Sequence, residues 1–527
     1  MKLNLKPPSL DLLLKTIRVP LNSIKFIKVF LFLFVLIGLL FLGIYKQPYY
    51  PTTWFDEGLV LQGAINLVKY GQYAMRSVEG FRVLDQPLTA NGPGVVLPLS
   101  AVFAIWGIGL LQARILMAFY FAFGIILFYR VSSKIYGDVI GMISTLILLA
   151  VPEEGIFLYG RQALGNMPAF VYFLLGLYFF IKLIDRKGIL YAFLSGSFWG
   201  LTLVTKSQYW IILPVLSITV LADLFYYKKI GAARSVIVIG TIVASLITWQ
   251  FTQYLILGGE SYAQSLVAIR SSAKVTVFAL RAIRIPGNIW YLVRSGFVVI
   301  VIPGLTLAFF ESRDRTPNGI VRLLLTLFVS CWIFWYAFVS VGWHRYAFEA
   351  YSIGTIFSGS IFIKALSFTL NQYKEPHKRT RYTYLTLTVI ALFFLSSFSF
   401  VVTSGIRKIQ RIIMPPTPYP QMLAEYLQKN IPPGLVIESW EWEIDALTPE
   451  LTYHHPTNDW VDIKTAETQF GDMPDKTYDP FSFEPAYLID GPFSNWTGIY
   501  HDSISKGCCV KVTNFGDYTL YKVINKK

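Results

Sequence analysis

The chain reads as a polytopic α-helical membrane protein with about 11 crossings, one re-entrant or juxtamembrane segment, and a small extracytoplasmic mixed α/β domain at its C-terminal end. Three observations predict this. Of its 527 residues, 54% are hydrophobic and only 15% are charged, more apolar material than one soluble core uses. The apolar residues fall in twelve stretches at span length or near it, and the basic residues lie mostly in short runs between them. Composition then turns polar and proline-rich from about residue 404.

The formal charge of +15 does not indicate nucleic acid, because Lys and Arg are placed as cytoplasmic loops require. The first stretch, about 24–45, follows Lys2, Lys6, Lys15, Arg18, Lys25 and Lys28. It is too long for a signal-peptide core and has no small-residue cleavage site, so it reads as an uncleaved span with a cytoplasmic N-terminus over 1–23. The others lie at about 94–110, 113–130, 138–152, 166–184, 189–204, 208–226, 235–257, 289–310, 322–341, 347–369 and 383–403. The 94–110 stretch begins Gly92-Pro93-Gly94, contains Pro98 and Gly107, and nearly abuts the next, which reads as a segment that does not cross.

That parity puts five basic clusters inside: Arg130 and Lys134; Lys182, Arg186 and Lys187; Lys228, Lys229 and Arg234; Arg313, Arg315 and Arg322; Lys374, Lys378, Arg379 and Arg381. Arg407, Lys408 and Arg411 are then the exception, at the outer end of the last span. Three units follow: the N-terminus 1–23, a membrane module 24–403 with a first outer loop at 46–112, and the outer domain 404–527. The expected location is the plasma (inner) membrane, multi-pass.

Within the first outer loop, Leu59, Leu61, Ile65, Leu67 and Val68 alternate with Gln62, Asn66 and Lys69, which predicts a helix lying on the membrane surface. In the tail, 419–429 reads as a helix, 435–439 as a strand, and 508–512 with 518–523 as a terminal hairpin. Cys508 and Cys509 read as strand residues, since adjacent cysteines rarely bridge without strain. Asn495-Trp496-Thr497 fits a glycosylation sequon.

The polar groups with chemical potential collect on the outer face. Asp56 and Glu57, about ten residues past the first span, are either solvated acids capping the next helix or a site. Arg161 pairs with Glu153 and Glu154 in its plainest reading; Lys206, in the turn Thr205-Lys206-Ser207, snorkels; Arg345, in Trp343-His344-Arg345-Tyr346, anchors at the interface. Together they place a carboxylate pair opposite three cations, beside apolar spans that hold a lipid tail. That suits transfer from a lipid phosphate, with a carboxylate as base and cations on the departing phosphate. No Walker loop, dinucleotide fingerprint or metal-binding signature occurs, and His454-His455 is too isolated for a metal site.

These residues resemble the GT-C membrane glycosyltransferases, in particular the dolichyl-phosphate-mannose-protein mannosyltransferase and aminoarabinose transferase-like branch, over about 50–370. Asp56-Glu57 matches that family's first-loop Asp-Glu motif. Asp85-Gln86-Pro87, Gly92-Pro93 and Ala113-Arg114 look like its juxtamembrane segment and the Ala-Arg pair opening the second crossing. Arg161 with Pro168, Thr205-Lys206 and Arg345-Tyr346 look like its later motifs. Asn166 departs from it, standing where many relatives have an acid.

The resemblance implies an inverting transfer of a hexose or pentose from a polyprenyl-phosphate donor to a protein, glycan or lipid acceptor at the outer face. Asp56 would be the base, with Glu57 beside it. Arg161, Lys206 and Arg345 would take the donor phosphate, and Asp85 and Tyr346 the substrate. No cofactor is expected, and no ligand cluster argues for a divalent metal. The alternative is a transporter or lipid-linked sugar flippase whose acids bind a coupling cation, although transport sites favour midplane charges and broken helices in repeated halves. A structural subunit, with both carboxylates dispensable, is the third reading.

Overall fold

A computed structural model describes residues 21–150, 155–374, 381–472 and 476–524. The expected N-terminal segment up to residue 20, Glu153 and Glu154, and Lys378 and Arg379 lie outside the described residues.

Every apolar stretch read from the sequence is helical. Among the described residues seven helices are long and apolar enough to cross a membrane: Leu110–Tyr136, Asn166–Arg186, Ser207–Tyr227, Ala232–Leu257, Pro317–Phe338, His344–Gln372 and Thr383–Ile413. An eighth span is broken, Ala282–Arg294 and Phe297–Glu311 meeting at 59°. The first apolar stretch is the 24-residue helix Leu21–Ile44, and among the described residues three shorter apolar helices complete the set: Pro93–Trp106, Asp138–Ala150 and Ile189–Thr205. The Pro93–Trp106 helix has 14 residues, so at about 1.5 Å per residue it falls short of a hydrocarbon core about 30 Å thick. Gly107, at φ 85°, ends it where a side chain would be strained.

Small residues let the helices close on one another without a solvent-driven force between them. A Cβ on Gly176 would lie 2.4 Å from the Trp199 ring. Trp199 is fully buried there and donates its indole N–H to the Phe173 carbonyl at 3.2 Å.

Basic side chains find partners at both ends of the bundle. At one end Asn318 and Arg322 both donate to the Ile135 carbonyl, and Glu311 pairs with Lys364 and, at 3.8 Å, with Arg322. At the other end, beside the predicted site, Lys408 donates to the Leu149 carbonyl at 2.9 Å, near the C-terminus of the Asp138–Ala150 helix. A cation there meets the negative end of a helix dipole, which accounts for one of the basic residues that break the charge bias.

The helix Phe55–Tyr70, amphipathic in sequence, is covered by protein on most of its surface. Its polar stripe is buried: the Asn66 amide donates to Gln62 and to the Ala74 carbonyl, both at 2.9 Å. It packs between the Pro93–Trp106 helix and a helix of the C-terminal domain, Trp442–Leu447. The amphipathic pattern was real, but protein covers the polar side as well.

The last span continues unbroken to Ile413, past the composition change at 404. The domain beyond begins with the helix Tyr419–Asn430 and is built on a five-stranded sheet in the order β4-β3-β5-β7-β6. Here β3 is Val436–Ser439, β4 Thr452–His454, β5 Tyr487–Asp490, β6 Cys509–Phe515 and β7 Tyr518–Val523, with β1 (Ala74–Ser77) and β2 (Gly80–Val83) forming a separate hairpin in the first loop. β3 runs parallel to β4 and β5, whereas β7 is antiparallel to β5 and β6. One reading is corrected: Cys508 and Cys509 are joined as a vicinal disulfide at the start of β6, just after the left-handed Gly507. That glycine turns the chain where the ring closes. Asn495 lies exposed on the Pro492–Thr497 helix.

Candidate active site

Asp56 and Glu57 occupy the first turn of the Phe55–Tyr70 helix, where acids face the positive end of its dipole. Neighbouring helical residues point about 100° apart, so the pair separates. Glu57 turns inward and is fully enclosed. It meets Arg114, also fully enclosed, in a two-pronged ion pair at 2.6 and 2.9 Å, and accepts the Ala163 amide at 2.8 Å. Arg114 also donates to the Pro48 and Pro51 carbonyls, each at 2.7 Å, and so holds the loop that leads into the Asp-Glu pair. A buried pair of this kind fixes geometry more than it adds stability, because both ions lose their hydration.

Asp56 turns the other way and pairs with Arg345. Its side chain keeps 17% of its surface open and that of Arg345 21%, so this pair borders solvent. The guanidinium lies 4.4 Å from the Trp343 ring centre and 5.6 Å from that of Trp54. Tyr346 is buried behind it, its hydroxyl among the side chains of Gln208, Thr276 and Arg345.

Lys206 is almost wholly buried and donates to the Asn91 carboxamide at 2.9 Å. Burial pulls its ammonium down to about 8, opposed by the charge of Glu349. Glu349 is itself buried, one helical turn beyond Arg345, and accepts the Asn166 amide at 3.2 Å. The acid expected at 166 by resemblance is therefore supplied to the same spot from another helix.

Two predicted residues are placed elsewhere. Arg161 is fully enclosed and spends its guanidinium on the carbonyls of Leu42 and Tyr45, at the end of the first span, and of Tyr50. Burial lowers it to about 10. Its expected partners Glu153 and Glu154 are not among the described residues. Asp85 caps the Gln86–Ala90 helix, accepting the Gln86 amide at 2.8 Å, and burial raises its carboxyl above the ordinary range. It faces Asn458 of the C-terminal domain rather than Asp56.

The structure thus gathers Asp56, Arg345, Tyr346, Lys206 and Glu349, with Glu57 and Arg161 as buried supports. Sequence reasoning missed Glu349, although a carboxylate inside an apolar stretch is itself a signal of function. It also missed the reach of the C-terminal domain. Gln421 of that domain donates to Thr53 at 3.1 Å, and a Cβ on Gly58 would lie 2.3 Å from the Glu443 backbone nitrogen. Among the described residues no three His, Cys, Asp or Glu side chains converge as metal ligands. His454 and His455 bind Glu438 and Asp445 inside the C-terminal domain.

A bordering acid paired to a cation, with aromatic walls and a second buried cation, can accept a proton and hold an anion side by side. No known protein family and no curated protein matches the chain in sequence. Solved structures match it in shape. ArnT from Cupriavidus metallidurans, solved bound to undecaprenyl phosphate, aligns with a TM-score of 0.61 at 13% identity, over 94% of this chain and 97% of that one. The oligosaccharyltransferase AglB from Archaeoglobus fulgidus, solved with an inhibitory peptide and a dolichol-phosphate, aligns with a TM-score of 0.52 at 11% identity, over 94% of this chain and 74% of that one. The fold is that of the GT-C membrane glycosyltransferases.

Proposed function

We propose that this chain is an integral-membrane glycosyltransferase that moves a sugar from a polyprenyl-phosphate donor to an acceptor hydroxyl at the outer face of the plasma (inner) membrane, with inversion. The observation that carries the proposal is the solvent-bordering Asp56–Arg345 pair in a fold shared with two structures that hold polyprenyl phosphates.

The acceptor oxygen attacks the sugar carbon from the face opposite the phosphate and the carbon–phosphate-oxygen bond breaks. The polyprenyl phosphate leaves with the bonding pair, and Asp56 takes the acceptor proton. Arg345 links the two events. While it holds Asp56 it fixes the carboxylate's position; when the donor arrives, its guanidinium turns to the phosphate and frees Asp56 to act as base. Lys206 supplies the second positive charge, with Glu349 setting its protonation and position. Tyr346 backs Arg345. Glu57 and Arg161 act at one remove, locking the loop and the first span against which Asp56 is aimed. Asp85 shapes the seat of the C-terminal domain.

Purified protein in lipid nanodiscs, given radiolabelled polyprenyl-phosphate sugars and a cell extract as acceptor, tests this. Label is expected to pass to the acceptor as free polyprenyl phosphate appears. Label that crosses a proteoliposome membrane while still attached to its lipid would instead establish the flippase reading.

A further inference from the structure

At the end of the bundle remote from Asp56 lies a cavity of about 470 Å³, lined by Phe123, Ile126, Leu127, Arg130, Lys134, Tyr178 and Lys182. Its first five residues lie on the Leu110–Tyr136 helix and the other two on Asn166–Arg186. Both helices present the same order, apolar side chains nearer the bundle centre and cations one or two turns further on. At about 1.5 Å per residue, Lys134 lies about 30 Å along its helix from Arg114, the thickness of a hydrocarbon core. Arg114 marks the Asp56 end, so the cavity sits at the opposite membrane interface.

Three cations line it and no carboxylate does; Asp138 and Asp185, next to these helix ends, are not among its walls. Arg130 and Lys134 are exposed, and Lys182 lies 5.6 Å from the Tyr178 ring centre, with its stem along the wall. Phe123, 47% exposed, continues the apolar wall toward the lipid side. A charged mouth that opens into an apolar trough matches an amphiphile with an anionic head and a hydrocarbon tail, and would be poorly filled by a soluble anion.

We propose that this cavity is a binding site for an anionic phospholipid of the leaflet opposite the Asp56 site. The phosphate sits among Arg130, Lys134 and Lys182, and one acyl chain runs along Phe123, Ile126 and Leu127. The occupant is a glycerophospholipid of the bulk leaflet, where the polar head and the tail meet at the depth these two helices set. The site is independent of the transfer reaction, and its test does not use that reaction.

Native mass spectrometry of the full chain released from nanodiscs of phosphatidylcholine with phosphatidylglycerol reads the retained lipid. Wild type is expected to keep phosphatidylglycerol in preference to phosphatidylcholine. Each cation changed to Gln should weaken retention about fivefold, the usual worth of one basic residue at an anionic surface. Phosphatidylglycerol should also raise the melting temperature of wild type and not of R130Q/K134Q/K182Q. If the triple variant does not fold, Arg130→Gln alone, at an exposed position, carries the same comparison. Equal retention of phosphatidylcholine, undiminished phosphatidylglycerol on a folded variant, or displacement of the lipid by soluble glycerol phosphate at matched concentration would each overturn the assignment.

Discussion

Asp56 and Glu57 are adjacent in sequence and opposite in situation. Glu57 is sealed against Arg114 with every neighbour fixed, whereas Asp56 meets Arg345 at the border of the bundle with a fifth of each side chain still open. An ion pair in the first setting acts on shape, because breaking it strands a charge where water cannot reach it. In the second setting solvent softens the loss, and the pair is free to trade partners. One dipeptide thus divides anchoring from chemistry.

The widest separation is expected in turnover. Asp56→Asn should lose about 100- to 10,000-fold in transfer rate, the usual worth of a general base, while its melting temperature stays near that of wild type. A purified, folded Asp56→Asn protein with undiminished transfer would remove Asp56 as the base. Arg114→Ala should do the reverse, costing about 3–5 kcal/mol of stability by leaving Glu57 buried and unpaired, read as a lowered melting temperature or failure to accumulate. If it melts like wild type, Glu57 is no anchor and the contrast collapses.

Arg345→Ala is expected to raise the KM for the lipid donor about 10- to 150-fold, the equivalent of one charged hydrogen bond worth about 1.5–3 kcal/mol, with little effect on melting. An unchanged KM would show that the phosphate binds elsewhere.

The smallest effect concerns Asp462, a half-buried carboxylate with no basic partner among the described residues. It accepts from Ser272 at 2.8 Å, and burial lifts it from 3.8 to about 6. The folded state therefore holds its proton more tightly than the unfolded chain does. The resulting stabilisation is complete below pH 4 and is lost as pH rises through about 6. Melting temperature measured across that window should fall in wild type relative to Asp462→Asn, and parallel curves would refute the shift.

The helical architecture was legible because each span is a local hydrophobic segment, and all twelve apolar stretches recur as helices. The terminal hairpin and the helix at 419 were legible for the same reason. Asp56, Lys206, Arg345 and Tyr346 were singled out because polar and charged residues in turns between apolar stretches have little packing purpose of their own, and the structure places them near one another. Glu57 and Arg161 show where that logic stops, since only tertiary structure tells a buried strut from a ligand. The amphipathic period of 59–69 gave the helix but not the protein packed along it, because the domain that rests against it is coded hundreds of residues away. Glu349 was readable as a lone acid in an apolar run, but its partnership with Asn166 joins two helices that no local pattern connects.

Gly58, the residue after the acidic pair, has no room for a side chain because the backbone at Trp442 and Glu443 rests against it. This contact ties together opposite ends of the chain's synthesis. Within this chain the turn bearing Asp56 is made hundreds of residues before its backing. The Asp56–Arg345 pair can therefore form from the bundle alone, while the packing behind its helix waits for the sheet domain.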